Sequence, residues 1–173
     1  MQDEQNSAVG LAWHEVEARV IEEIRWLKSA IIEFSSGYGR QSDDSSYRRI
    51  ATMIVQGKVK ATEFRAKGAN VLWEAVNDSG SSKSIKHKHG QEWHRSMMDV
   101  IDRYFGIQGY EVVTEPHLNS GQADLGVFMD GKKDLYVEVG TTSVDKLTVN
   151  LASMPNCVFL LVPESNRIIE FVT

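Results

Sequence analysis

Along Trp13 to Ser29 the apolar residues Val16, Val20, Ile24 and Leu27 recur four, four and three apart, which predicts a helix with one buried face. Ala30 to Phe34 predicts a short second helix, stopped by Ser35-Ser36-Gly37. Asp43, Asp44 and Ser45 then offer N-cap chemistry to a third helix, SYRRIATMIVQ, with Ile50, Met53 and Ile54 inward and Gly57 as its stop. KVKATEFRA and NVLWEAV alternate in part and flank Lys67-Gly68-Ala69, the pattern of two strands and a turn.

The pattern breaks at Asn77 to Gly90. NDSGSSKSIKHKHG is rich in Ser, Gly and Lys, has little to bury and reads as a linker. It divides the chain into an N-terminal unit, residues 1–76, and a C-terminal unit, residues 91–173. Glu92 to Phe105 predicts a helix whose stripe of Met97, Met98, Ile101, Tyr104 and Phe105 is core, with Gly106 as its end. The strand YEVVTE follows, then two strands within ADLGVFMDGKKDLYVEVGTT, then a helix, SVDKLTVNLAS, capped by Ser143. CVFLLV and RIIEFV are the last strands, parted by Pro163-Glu164-Ser165-Asn166.

Two acids interrupt the apolar hairpin, Asp124 at its start and Glu138 near its end. If Asp130-Gly131-Lys132 forms a three-residue loop, Asp124 faces Glu138 directly and both side chains point to one side. A loop of two or four residues breaks that pairing. Facing carboxylates repel unless a cation lies between them, and the hard ion Mg²⁺ (or Mn²⁺) suits a site of one or two carboxylates completed by water and phosphate oxygens.

Three helices and a hairpin make the first unit resemble a winged helix-turn-helix. Ile50, Met53, Gly57 and Val59 fall where that family places the buried residues of its recognition helix and its Gly-x-Val exit into the wing. The long polar GYGRQSDDSS departs from the pattern. The resemblance implies that Ser45, Tyr47, Arg48 and Arg49 begin the recognition helix, the end that enters the major groove, and that Arg65 and Lys67 lie at the wing tip. Between Arg40 and Lys67 stand seven basic residues against three acidic ones, a local excess suited to phosphate. The plainer reading of this patch is a solvated surface of a protein-interaction module.

In the second unit, the order helix, three strands, helix, strand, with Asp124 and Glu138 on successive strands, resembles the PD-(D/E)XK nuclease superfamily, the restriction-endonuclease-like fold that includes archaeal Holliday-junction resolvases. The resemblance implies an α/β domain with a mixed central sheet, a metal held by Asp124 and Glu138, and a third acid at Glu115. The family's motif continues Glu-x-Lys, but this chain has Gly140 at the lysine position. Either the lysine has migrated, with Lys146 at the start of the next helix filling the role, or catalysis is lost and the fold serves binding. Asn150 lies one helical turn beyond Lys146 on the same face. Glu92 and His94, in the first turn of the unit's first helix, and His117, in the loop before Asp124, are accessory positions. His87 and His89 in the linker are more simply loop residues than metal ligands.

Composition narrows the reading. The chain has 173 residues, 42% hydrophobic and 25% charged, enough for a packed core. Its net charge of -5 means that nucleic-acid contact must come from local patches. A single cysteine, Cys157, excludes an internal disulfide framework. MQDEQNSAVG is unlike a leader peptide, and no apolar run reaches membrane-spanning length, so a cytoplasmic protein is expected. The expectation that follows is a DNA-binding, metal-dependent endonuclease, of the kind found in plasmids, viruses and other mobile elements, acting as a homodimer. The alternative is an inactive nuclease-fold regulator of transcription or replication.

Overall fold

The structure of the protein, a computed structural model, describes residues 2–31, 44–65, 91–163 and 167–173. Among these lie helices α1 (Gln2–Ala30), α2 (Asp44–Val55), α3 (Gln91–Ile107) and α4 (Val144–Ser153). The strands are β1 (Lys60–Arg65), β2 (Glu111–Thr114), β3 (Leu125–Phe128), β4 (Asp134–Val139), β5 (Cys157–Val162) and β6 (Arg167–Val172). All six join one mixed sheet in the order β1-β6-β5-β4-β3-β2. Only β4 and β5 run parallel, and α4 is the crossover that a parallel pair requires.

Alternation along the strands sends side chains to both faces. Val137 and Val139 pack with Leu125, Val127 and Ile168 against Trp93, Met97 and Ile101 of α3. Tyr136 points the other way, into a cluster with Leu147 of α4, Phe159 and Phe171 of the sheet, Val20 and Leu27 of α1, and Ile50 of α2. Helices therefore cover both faces, and Glu138, next in line after Val137, belongs to the side of Tyr136 and α4.

That second cluster draws on both halves of the chain. β1, expected to be the first arm of a wing, pairs antiparallel with β6 from Lys60↔Val172 to Arg65↔Arg167. The pairing is locked by a fork-to-fork ion pair: Arg167 Nε and Nη2 donate to Glu63 Oε1 and Oε2 at 2.8 and 2.9 Å. Trp26 Nε1 of α1 donates to the same carboxylate, and Arg167 Nη1 donates to the carbonyl of Ser29. Residues before the expected seam thus share a sheet and a core with residues after it. The linker itself, the second wing strand, the short second helix beyond Ile31, the loop 164–166, His87 and His89 lie outside the described residues, as do Lys67 and the side chain of Arg65.

Two helix ends differ from expectation. α1 begins at Gln2 and not at Trp13. α3 runs through Gly106, and the cap is Gly109 in the left-handed conformation, φ +86. The amide of Gly109 donates to the carbonyl of Gly106 and that of Tyr110 to the carbonyl of Phe105, the paired bonds that close a helix on such a residue. A second cap matches its expectation: Ser143 Oγ accepts from the amide of Lys146 at the start of α4.

Candidate active site

The β3–β4 register is Leu125↔Val137, Gly126↔Tyr136 and Val127↔Leu135, as a three-residue loop requires. That ladder ends at Leu125↔Val137, so the direct facing of Asp124 and Glu138 expected from the loop length is not one of its pairs. The Asp124 amide donates to the carbonyl of Val137 at 3.1 Å, and Asp124 Oδ2 accepts from the amide of Val139 at 2.6 Å. This side-chain bond turns the carboxylate toward the end of β4. There His94 Nε2, from the first turn of α3, lies 3.3 Å from Asp124 Oδ1.

Glu138 is 8% exposed. Its Oε1 lies 2.6 Å from Lys146 Nζ, and the same ammonium donates to the carbonyl of Gln122 at 2.8 Å. Burial pushes the Glu138 carboxyl above the ordinary carboxylate range; the Lys146 hydrogen bond and charge oppose that, Asp124 adds to it, and His94 opposes it. A buried carboxylate beside a second acid is stabilised in its charged form by nearby cations, and Lys146 is the one in contact with it.

The lysine is held by the loop between β2 and β3. A Cβ at Gly121 would lie 3.0 Å from Lys146 Cδ, so the loop passes tight over the lysine stem. Asn150, 1% exposed, fixes that loop by accepting from the Ser120 amide at 2.7 Å and donating to the Ser120 carbonyl at 3.0 Å. Asn150 is therefore a positioning residue for the loop.

Gly140 ends β4 with φ +88, its amide donating to the carbonyl of Val162 at 2.8 Å. In this left-handed conformation a lysine would carry a cost of about 1–2 kcal/mol, which explains glycine at this position. The ring of Trp93 lies 3.7 Å from where a Cβ would stand.

Of the residues singled out in the sequence, the structure brings together Asp124, Glu138, Lys146 and His94. Glu115 is exposed at φ +53, and its amide, not its carboxylate, is tied to the site, donating to the carbonyl of Asp124. His117 and Glu92 are exposed and have no ion-pair partner among the described residues. Tyr47 corrects an expectation: it is 5% exposed and packs in the core, where it cannot touch DNA. Arg48 and Arg49 are exposed, Arg48 Nη1 being paired with Glu17 Oε1 at 2.9 Å. Ser45 stands at the start of the same helix. The Gln122 carbonyl and the Trp93 ring went unread in the sequence; a backbone acceptor leaves no side-chain signal.

Among the described residues no group of three or more His, Cys, Asp and Glu side chains is placed to hold a metal ion. The donors that converge, two carboxylates with Glu138 buried, fit a hard cation that takes one or two carboxylates and fills its shell with water and phosphate oxygens. Also among the described residues, no helix is long and apolar enough to cross a membrane. No family model, no curated protein and no solved structure matches the chain.

Proposed function

We propose that the protein is a metal-dependent phosphodiesterase acting on DNA, an endonuclease with a restriction-endonuclease-like core built from α3, β2–β6 and α4. The observation that carries this reading is the contact of Lys146 Nζ with Glu138 Oε1, on the strand beside Asp124. It supplies from the following helix the cation that the Gly140 position lacks.

Asp124 and Glu138 would hold Mg²⁺ or Mn²⁺, which when bound polarises a phosphoryl oxygen and lowers the pKa of water. Lys146, fixed by the Gln122 carbonyl and Glu138, orients the attacking water and balances the charge that grows on the phosphoryl oxygens. Attack forms a P–O bond to water, which gives up a proton to solvent, and breaks the P–O bond to the leaving sugar oxygen, which takes a proton from solvent. His94 steadies the Asp124 carboxylate from the α3 side. Cutting both strands of a duplex calls for two such sites, which we take as two copies of the chain.

The test is incubation with supercoiled, linear and branched DNA in Mg²⁺ or Mn²⁺, beside Asp124→Asn and Glu138→Gln. Cleavage that both substitutions abolish is the expected result. Binding without cutting on every substrate overturns the enzyme and leaves a nuclease-fold regulator. Light scattering with and without DNA reads the dimer.

A further inference from the structure

We infer that the groove between α2 and α4 receives a single strand of nucleic acid, the segment that flanks the phosphodiester at the Asp124–Glu138 site. The inference rests on the phosphodiesterase reading and says where the substrate runs and what form it takes.

The groove has a volume of about 770 Å³. Arg48, Arg49 and Lys58 stand along it over a floor of Met53, Leu151 and Pro155, and no acidic side chain lines it among the described residues. Three cations in one groove on a chain of net charge -5 are complementary to a polyanion. Arg48 is partly neutralised by Glu17; Arg49 and Lys58 have no ion-pair partner among the described residues. Lys58 is aimed back over the helix by its chain reversal, because the amides of Lys58 and Val59 both donate to the carbonyl of Met53. Ser45, Arg49 and Thr52 recur at helical spacing along the same face of α2.

The groove and the site share α4: Leu151 and Ala152 line the groove, and Lys146 reaches the site. Ser46 Oγ donates to Asp145 Oδ1, and Thr148 Oγ1 reaches the carbonyl of Ser46. These bonds set the first turn of α2 against the first turn of α4, where Lys146 begins its reach to Glu138. A strand leaving the site along α4 passes Arg49 and then Lys58.

Form follows from size. A groove of about 770 Å³ is of the volume that encloses a small ligand, which suits a few nucleotides of one strand and is too small to take in a duplex. No aromatic side chain lines it among the described residues, so bases are not held by stacking and affinity comes from phosphates, indifferent to sequence. An acidic helical peptide would need apolar anchors repeated along the groove, and the floor offers one patch.

The test is fluorescence anisotropy of a labelled oligothymidylate with the full chain in chelator, where no cutting occurs. Arg49→Ala with Lys58→Ala weakens binding about tenfold and lowers the log–log salt slope by about 1.4, two phosphate contacts at about 0.7 each. Arg49→Glu weakens it further. Both cations are exposed, so thermal unfolding reports that the variants fold as the parent does. Unchanged affinity in the double variant overturns the inference, as does equal binding of a matched duplex with the same loss, or equal loss of polyglutamate binding. Hydrolysis of bis(p-nitrophenyl) phosphate, too small to reach the groove, reads the catalytic site separately. If the parent fails to hydrolyse it and the strand effect stands, the phosphodiesterase reading and the flanking role fall together, and only a strand-binding groove remains.

Discussion

Two partly buried carboxylate–cation pairs lie on the two sides of the sheet centre, and they differ in how fully they are satisfied. Glu63 meets Arg167 through two parallel bonds and takes a third from Trp26, while Arg167 Nη1 donates to the Ser29 carbonyl. Glu138 meets Lys146 through one oxygen, beside a second acid, with its carboxyl pushed up by burial. A carboxylate with both oxygens engaged in a bidentate pair has little left to offer a ligand. A single contact beside a like charge leaves capacity for another cation. The first pair reads as a clamp and the second as a site.

The largest expected effect tests that division in catalysis. Lys146→Ala should cut the DNA cleavage rate by about 10²–10³-fold, the range for removing one donor aimed at transition-state charge. Glu63→Gln should leave the rate of the folded fraction unchanged. Loss of cleavage in Glu63→Gln with activity kept in Lys146→Ala would exchange the two roles and break the comparison.

Stability should show the reverse. Glu63→Ala strands Arg167 and the Trp26 indole and unfastens α1, β1 and β6 together. Losing the charge-assisted bonds of this partly buried pair should cost about 2 kcal/mol, measured by urea denaturation. A cost under about 1 kcal/mol would make the pair an ordinary surface contact.

The site half of this comparison was more legible in the sequence than the clamp half. Asp130-Gly131-Lys132 specified the hairpin loop, and loop length fixes register as far as Leu125↔Val137; one place further the Asp124 amide bonds to the Val137 carbonyl, so the acids are neighbours at the end of the ladder and not a pair within it. Lys146 followed from the gap at Gly140 and the resemblance. The β1–β6 pairing joins residues about a hundred positions apart, and no local pattern encodes which strand a distant strand will meet. The seam at residues 77–90 therefore suggested two units where the described elements share one sheet. Tyr47 was readable and misassigned: it lies three residues before Ile50 and four before Ala51, the spacing of one helical face, and all three are buried. Gly106 and Gly109 both carry a stop signal, and only the packing of Phe105 and Tyr110, rings 5.5 Å apart, distinguishes them.

Metal affinity offers a readout apart from turnover. Mg²⁺ or Mn²⁺ at about a hundredfold its Kd should stabilise the parent by about 2.7 kcal/mol, seen as a rise in Tm. Asp124→Asn should remove that rise while Glu63→Gln keeps it. An equal rise in all three proteins would place the ion elsewhere and leave the Asp124–Glu138 pair without its assigned ligand.

The smallest effect bears on why the cation comes from a helix. Gly140→Lys puts a lysine where the nuclease motif has one, but at φ +88 and beside the Trp93 ring. The strain is about 1–2 kcal/mol, a fall in Tm of roughly 2–8 °C for a chain of this size. With β4 ending in a left-handed residue, the new side chain does not continue the strand's alternation, so it does not inherit the position beside Glu138. Gly140→Lys in a Lys146→Ala background should therefore leave cleavage depressed. Restored cleavage in that double variant would mean that the strand position is competent, and that the helix lysine is one of two interchangeable solutions rather than the one this backbone requires.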